Sequence, residues 1–145
     1  MSINTIYVYI KGNKGYYGLH IENGNKLLCH ECCEAMDHGV PIKQNCAEIR
    51  AACDALKRIG NSESISNCKI DIFSNLNLHD KFKSNRAAPD IMKPYISELN
   101  EEIKRIGNII NPLEPPTFHW QKKGECEKID NLSSELEEFR KTHPH

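Results

Sequence analysis

Apolar and polar residues alternate in the first third of the chain and recur at helical spacing in the middle. Thr5-Ile-Tyr-Val-Tyr-Ile-Lys11 is rich in β-branched and aromatic residues and predicts a strand. Gly12-Asn13-Lys14-Gly15 reads as a turn, and Tyr16-Tyr-Gly-Leu-His-Ile-Glu22 as a second strand. Asn23-Gly24-Asn25 is a hairpin signal, because Asn-Gly tolerates positive φ. A third strand follows from Lys26 to about Ala35, so the three together predict an antiparallel meander.

After a loop holding Gly39 and Pro41, Cys46, Ile49, Cys53 and Leu56 mark one face of a helix. Asn45 is placed to cap it and Gly60 to end it. A second row, Ala52, Ala55 and Ile59, leads back one turn to Glu48, a carboxylate at the head of an inward face. Asn61 to Asn67 is a polar loop, and Cys68-Lys-Ile-Asp-Ile-Phe-Ser74 a fourth strand. A short helix is expected over Leu76 to Phe82, then a loop over Lys83 to Pro89. Asp90 is placed to cap a helix carrying Met92, Ile96, Leu99, Ile103 and Ile106, closed by Gly107. Thr117-Phe-His-Trp-Gln-Lys122 reads as a fifth strand, with Phe118 and Trp120 taken as core. The last helix is expected from about Lys128 to Arg140, with Leu132, Leu136 and Phe139 inward.

The order β-β-β-α-β-α-α-β-α predicts an α/β domain in which strands one and four pair in parallel between helices on both faces. A site in such a sheet is expected beyond the carboxyl ends of neighbouring strands. Here those ends are Lys11 and Asn75.

This order resembles the ribonuclease H family from about Ile6 to Phe139, and three segments carry the resemblance. Ile6-Tyr-Val-Tyr-Ile-Lys-Gly-Asn13 looks like the family's first strand and its turn. Gln44-Asn-Cys-Ala-Glu-Ile-Arg-Ala-Ala-Cys-Asp-Ala-Leu56 is similar to its Asn-x-x-Glu-x-x-Ala-x-x-x-Ala-Leu helix. His119-Trp-Gln-Lys-Lys-Gly124 with Ile129-Asp-Asn-Leu132 looks like the last strand and the start of the last helix. The resemblance implies a ribonuclease H-like, mixed five-stranded sheet. It also implies a single domain over 1–145, with an ordered core at about 5–140 and a tail at 141–145.

In that family four carboxylates hold two Mg²⁺ ions about 4 Å apart, one activating water and the other stabilising the leaving oxygen. By the resemblance, Glu48 matches the helix glutamate and Asp130 the aspartate of the last helix. The other two positions hold Lys11 and Asn75. The histidine loop after Trp-x-Lys-Gly is shortened to Glu125-Cys126-Glu127. The expectation is therefore a vestigial site, with no cofactor, in which Lys11 stands in for metal and pairs with Glu48 and Asp130.

Composition narrows the partners. Lys plus Arg number 19 and Asp plus Glu 20, a net charge of −1, so a nucleic-acid surface has to be a local patch. Lys81, Lys83 and Arg86 form such a patch, and the acidic last helix does not. Seven cysteines, an odd count without an export signal, read as free thiols of a soluble, cytoplasmic protein. Cys29-His30-Glu31-Cys32-Cys33 has a zinc-like spacing. If the run is a strand, however, Cys29 and Cys32 face opposite ways.

The leading expectation is a non-catalytic module that binds nucleic acid weakly or serves as a scaffold. A second is a Mg²⁺- or Mn²⁺-dependent nuclease, acting on an RNA–DNA hybrid or another nucleic acid. Its rearranged site would use Glu48, Asp130, Asn75 and Asp71 or Asp37. A third is a protein-binding or self-associating module, and no membrane partner is expected.

Overall fold

The computed structural model describes residues 4–61, 68–76, 89–109 and 115–144. Strands β1 (Asn4–Asn13), β2 (Tyr16–Asn23) and β3 (Lys26–Glu34) form the expected antiparallel meander. A two-residue ladder, β4 (Met36–Asp37) with β5 (Val40–Pro41), leads into helix α1 (Gln44–Gly60). Strand β6 (Cys68–Ser74), helix α2 (Lys93–Ile109), strand β7 (Thr117–Trp120) and helix α3 (Glu127–Thr142) follow. The main sheet runs β3-β2-β1-β6-β7, with β6 parallel to β1 and β7 parallel to β6.

Strand parity sorts the side chains. Ile6, Val8 and Ile10 of β1, Leu19 and Ile21 of β2, and Ile70 and Ile72 of β6 join one core with Ile49, Ala52, Cys53 and Leu56 of α1 and Ile96, Leu99 and Ile106 of α2. The opposite face carries Tyr9, Lys11, Gly18 and His20. There α3 covers β1 and β2: Lys128 sits over the Tyr9 ring at 5.1 Å, and Leu132 lies under Gly18.

Several boundaries differ from the expected ones. β1 continues through Gly12 and Asn13, so the turn shrinks to Lys14-Gly15, with Gly15 at φ 79°. Gly12 is not a turn residue. A Cβ there would lie 2.5 Å from the Glu48 nitrogen and 2.6 Å from the Gln44 carbonyl oxygen, so glycine is what lets α1 dock on the strand. That docking also sets the helix start. α1 begins at Gln44, with Lys43 as the residue before it, and Asn45 does not cap it. The main-chain bond from Ala47 N–H to the Lys43 carbonyl (2.9 Å) closes the first turn instead.

Asp90 opens a 3-10 turn (Asp90–Met92) rather than capping α2, and its carboxylate pairs with Lys93 at 2.9 Å. Gly107 lies inside α2, which runs two residues further. β7 ends at Trp120, after which Gln121 N–H bonds the Ser74 carbonyl at 2.8 Å. α3 runs to Thr142, residues 141–144 are exposed, and the Tyr16 hydroxyl donates to the His143 carbonyl. The short helix expected over Leu76–Phe82 lies outside the described residues from residue 77 on.

No helix among the described residues is long and apolar enough to cross a membrane. Cys29 and Cys33 reach the Arg58 guanidinium on the α1 side, whereas Cys32 faces Gly18 and α3, as strand parity requires. Among the described residues no three His, Cys, Asp or Glu side chains are grouped to hold a metal ion.

Candidate functional site

The parallel register of β1 and β6 pairs Tyr9 with Phe73, and continuing it by two residues brings Lys11 beside Asn75. The Lys11 ammonium donates to Asn75 Oδ1 at 3.1 Å. Asn75 in turn donates through Nδ2 to the Gln121 carbonyl at 2.6 Å, and its own carbonyl accepts the Trp120 indole N–H at 3.2 Å. One residue at the carboxyl end of the sheet therefore ties β1 and β6 to the chain leaving β7.

Glu48 lies beneath this group and is 4% exposed. Its Oε1 accepts the Gly12 N–H at 2.8 Å and its Oε2 accepts the Ser74 hydroxyl at 2.6 Å. Ser74 Oγ also accepts the Leu76 N–H at 3.0 Å, which fixes the turn leaving β6. Burial pushes the Glu48 carboxyl above its usual range; the bonds from Ser74 and Gly12 and the charge of Lys11 pull the other way.

The expected charge cluster forms only in part. Lys11 lies close enough to Glu48 to act on it, but its hydrogen-bond partner is the neutral Asn75 amide. Asp130 sits half-buried in the first turn of α3, its N–H bonded to the Cys126 carbonyl at 3.0 Å. No hydrogen bond or ion pair joins Asp130 to Lys11, Glu48 or Asn75 among the described residues. The two Glu48 oxygens accept from Gly12 and Ser74.

Asp71 and Asp37 are engaged elsewhere. His119 Nε2 lies 3.0 Å from Asp71 Oδ1, and the His119 ring stacks on Phe73 with centroids 4.6 Å apart. Arg50 pairs with Asp37 at 3.2 Å, and the Tyr95 hydroxyl donates to it. Lys81, Lys83 and Arg86 lie outside the described residues.

Mg²⁺ requires several hard oxygen ligands in near-octahedral order. The donors assembled here are a carboxylate with both oxygens hydrogen-bonded, an amide oxygen facing an ammonium, and that ammonium itself. This set does not suit a divalent ion. Among the described residues no carboxylate lies at hydrogen-bond distance from the Lys11 ammonium.

Two members of the site escape the residue pattern. Ser74 had a signal: it closes the buried row Ile70, Ile72 with a polar group, which calls for a partner. Trp120 is the larger correction. It was expected in the core with Phe118; Phe118 does pack there, but Trp120 is 53% exposed. β7 stops at this residue, and the ring turns outward with its N–H on Asn75.

No family model matches the chain, and no curated protein matches it. Solved structures do. Ribonuclease H1 from the halophilic archaeon Halobacterium salinarum superposes with a TM-score of 0.64 at 14% identity, over 93% of this chain and 98% of that one. The N-terminal ribonuclease H domain of a Mycobacterium tuberculosis protein, solved as a fusion with maltose-binding protein, gives 0.65 at 10% identity, over 97% and 99%. LC11-RNase H1, solved in complex with an RNA/DNA hybrid, gives 0.61 at 16% identity, over 88% and 92%. The architecture is thus that of ribonuclease H, a mixed five-stranded sheet with, among the described residues, three α-helices.

Proposed function

We propose that this domain of ribonuclease H fold binds nucleic acid through Lys11 and does not hydrolyse it. The observation that carries the reading is the Lys11–Asn75 hydrogen bond of 3.1 Å at the carboxyl ends of β1 and β6. Two carboxylates in those places would draw a divalent ion between them. An ammonium and an amide put a fixed positive charge there instead, and a nucleic-acid phosphate is an anion that such a charge attracts. Burial pushes the Glu48 carboxyl above its usual range, and its hydrogen bonds go to Gly12 and Ser74 rather than to Lys11.

The nucleic-acid class is supported by LC11-RNase H1, which shares the fold and was solved with an RNA/DNA hybrid. Lys81, Lys83 and Arg86 follow Asn75 closely in the chain and would add phosphate contacts. With a net charge of −1, attraction has to come from such local groups rather than from the whole molecule.

Incubation with an RNA–DNA hybrid in Mg²⁺ and in Mn²⁺ tests this reading. The expected result is no turnover, together with binding that weakens as salt rises. Robust cleavage that is abolished by Glu48→Gln would mean a working metal site and would overturn it.

A further inference from the structure

Trp120 is half exposed and shares Asn75 with Lys11, and that combination suggests what the site holds. A tryptophan usually buries most of its large ring, so an exposed one held in a fixed orientation is the informative case. Its indole N–H is tied to the Asn75 carbonyl at 3.2 Å, so the ring is anchored at its edge. The same residue holds Lys11 through Oδ1 at 3.1 Å and the Gln121 carbonyl through Nδ2 at 2.6 Å. A cation that suits a phosphate and a ring that suits a base are therefore kept in fixed relation by one asparagine.

We infer that the site takes an unpaired nucleotide of a single strand, its phosphate on Lys11 and its base stacked on Trp120. The inference rests on the nucleic-acid reading above and narrows it. In a duplex both faces of each internal base are covered by neighbours, so such a base cannot lie on a protein ring. Single strands offer free π-faces, and stacking on an aromatic side chain accepts any base. Charge complementarity comes from Lys11, whose described partner is a neutral amide.

Trp120 is the only tryptophan in the chain, so fluorescence excited beyond the tyrosine absorption band reports this position alone. The full chain is titrated with short oligothymidylate, oligouridylate, an abasic oligonucleotide of equal length and a blunt RNA–DNA hybrid. Binding is read separately by anisotropy of labelled probes. Oligothymidylate and oligouridylate should quench the tryptophan, and the abasic strand and the hybrid should bind without quenching it. Trp120→Ala should weaken oligothymidylate binding about 5- to 100-fold, the loss of one stacked base. It should leave abasic binding unchanged, and Trp120→Phe should restore most of the loss. A thermal melt of each variant confirms that it is folded.

Single-strand binding without quenching, or unchanged in Trp120→Ala, overturns the stacking inference and leaves the phosphate reading standing. Equal quenching by the blunt hybrid overturns it as well. Failure of every probe to bind overturns the nucleic-acid reading itself.

Discussion

Gly12→Ala is expected to destabilise the protein by about 3 kcal/mol or more, the upper end of what overpacking costs. The added Cβ would sit 2.5 Å from the Glu48 nitrogen, 2.6 Å from the Gln44 oxygen and 2.8 Å from the Glu48 Cα. All three are backbone atoms, so no side chain can swing aside; either α1 or β1 has to move. Moving either also lengthens the bond from Gly12 N–H to Glu48, which is 2.8 Å here. A loss of that size is a large share of the roughly 5–15 kcal/mol that holds a domain folded. Chemical denaturation of the two proteins measures it. If Gly12→Ala unfolds like the parent, α1 does not approach β1 as described. Were Gly12 merely a flexible turn residue, the same substitution would cost well under about 1 kcal/mol.

Glu48 gives the second large effect, and its two substitutions should diverge. Glu48→Ala leaves the Gly12 N–H and the Ser74 hydroxyl without their acceptor in a buried place. With the cavity added, about 2–4 kcal/mol should be lost. For a chain of this size that is roughly a 10 °C drop in Tm. Glu48→Gln keeps the shape: its amide oxygen can accept from Gly12 and its NH₂ can donate to Ser74 Oγ. That variant should therefore be as stable as the parent near neutral pH, or more so.

The pH dependence follows from the direction of the shift. A carboxyl whose folded pKa lies above its usual 4.5 binds its proton more tightly when folded. Folding is then favoured in acid, and stability falls as pH rises from about the usual value through the raised one. The parent should lose stability relative to Glu48→Gln across that interval. Melts at a series of pH values give the difference directly. A difference of the opposite slope would mean that Glu48 is held as the anion, with Lys11 as its partner.

Much of the fold was legible because its signals are local. The alternation of Ile6, Val8 and Ile10 marks a half-buried strand, and Asn23-Gly24 marks the hairpin to β3. The rows Ile49, Cys53, Leu56 and Ala52, Ala55, Ile59 mark two inward faces of α1. Glu48 was also legible as the acid at the head of a buried row, and Lys11 and Asn75 as the two strand ends that meet.

The rest depends on contacts distant in sequence. Gly12-Asn13-Lys14-Gly15 looks like a turn by itself, and only a helix arriving from Gln44 and Glu48 makes Gly12 a close-packing residue. Lys11 was expected to pair with Glu48 and Asp130. Glu48 accepts instead from the Ser74 hydroxyl and the Gly12 N–H, and neither is visible as a partner in the sequence. Membership of the fifth strand puts Trp120 inside with Phe118, but β7 ends at that residue and leaves its ring half exposed.

The central claim is that a lysine serves where the fold's catalytic members use metal, so the most direct measurement is nucleic-acid affinity with the metal removed. Equilibrium binding of a labelled oligonucleotide is compared in EDTA and in Mg²⁺, for the parent and for Lys11→Ala. Lys11 is half-buried and bonded to a neutral amide, so its loss should cost only about 1 kcal/mol of stability and leave the fold intact. The account predicts equal parental affinity in EDTA and Mg²⁺, and clearly weaker binding by Lys11→Ala in both. Binding that appears only with Mg²⁺, or that Lys11→Ala leaves unchanged, would contradict it.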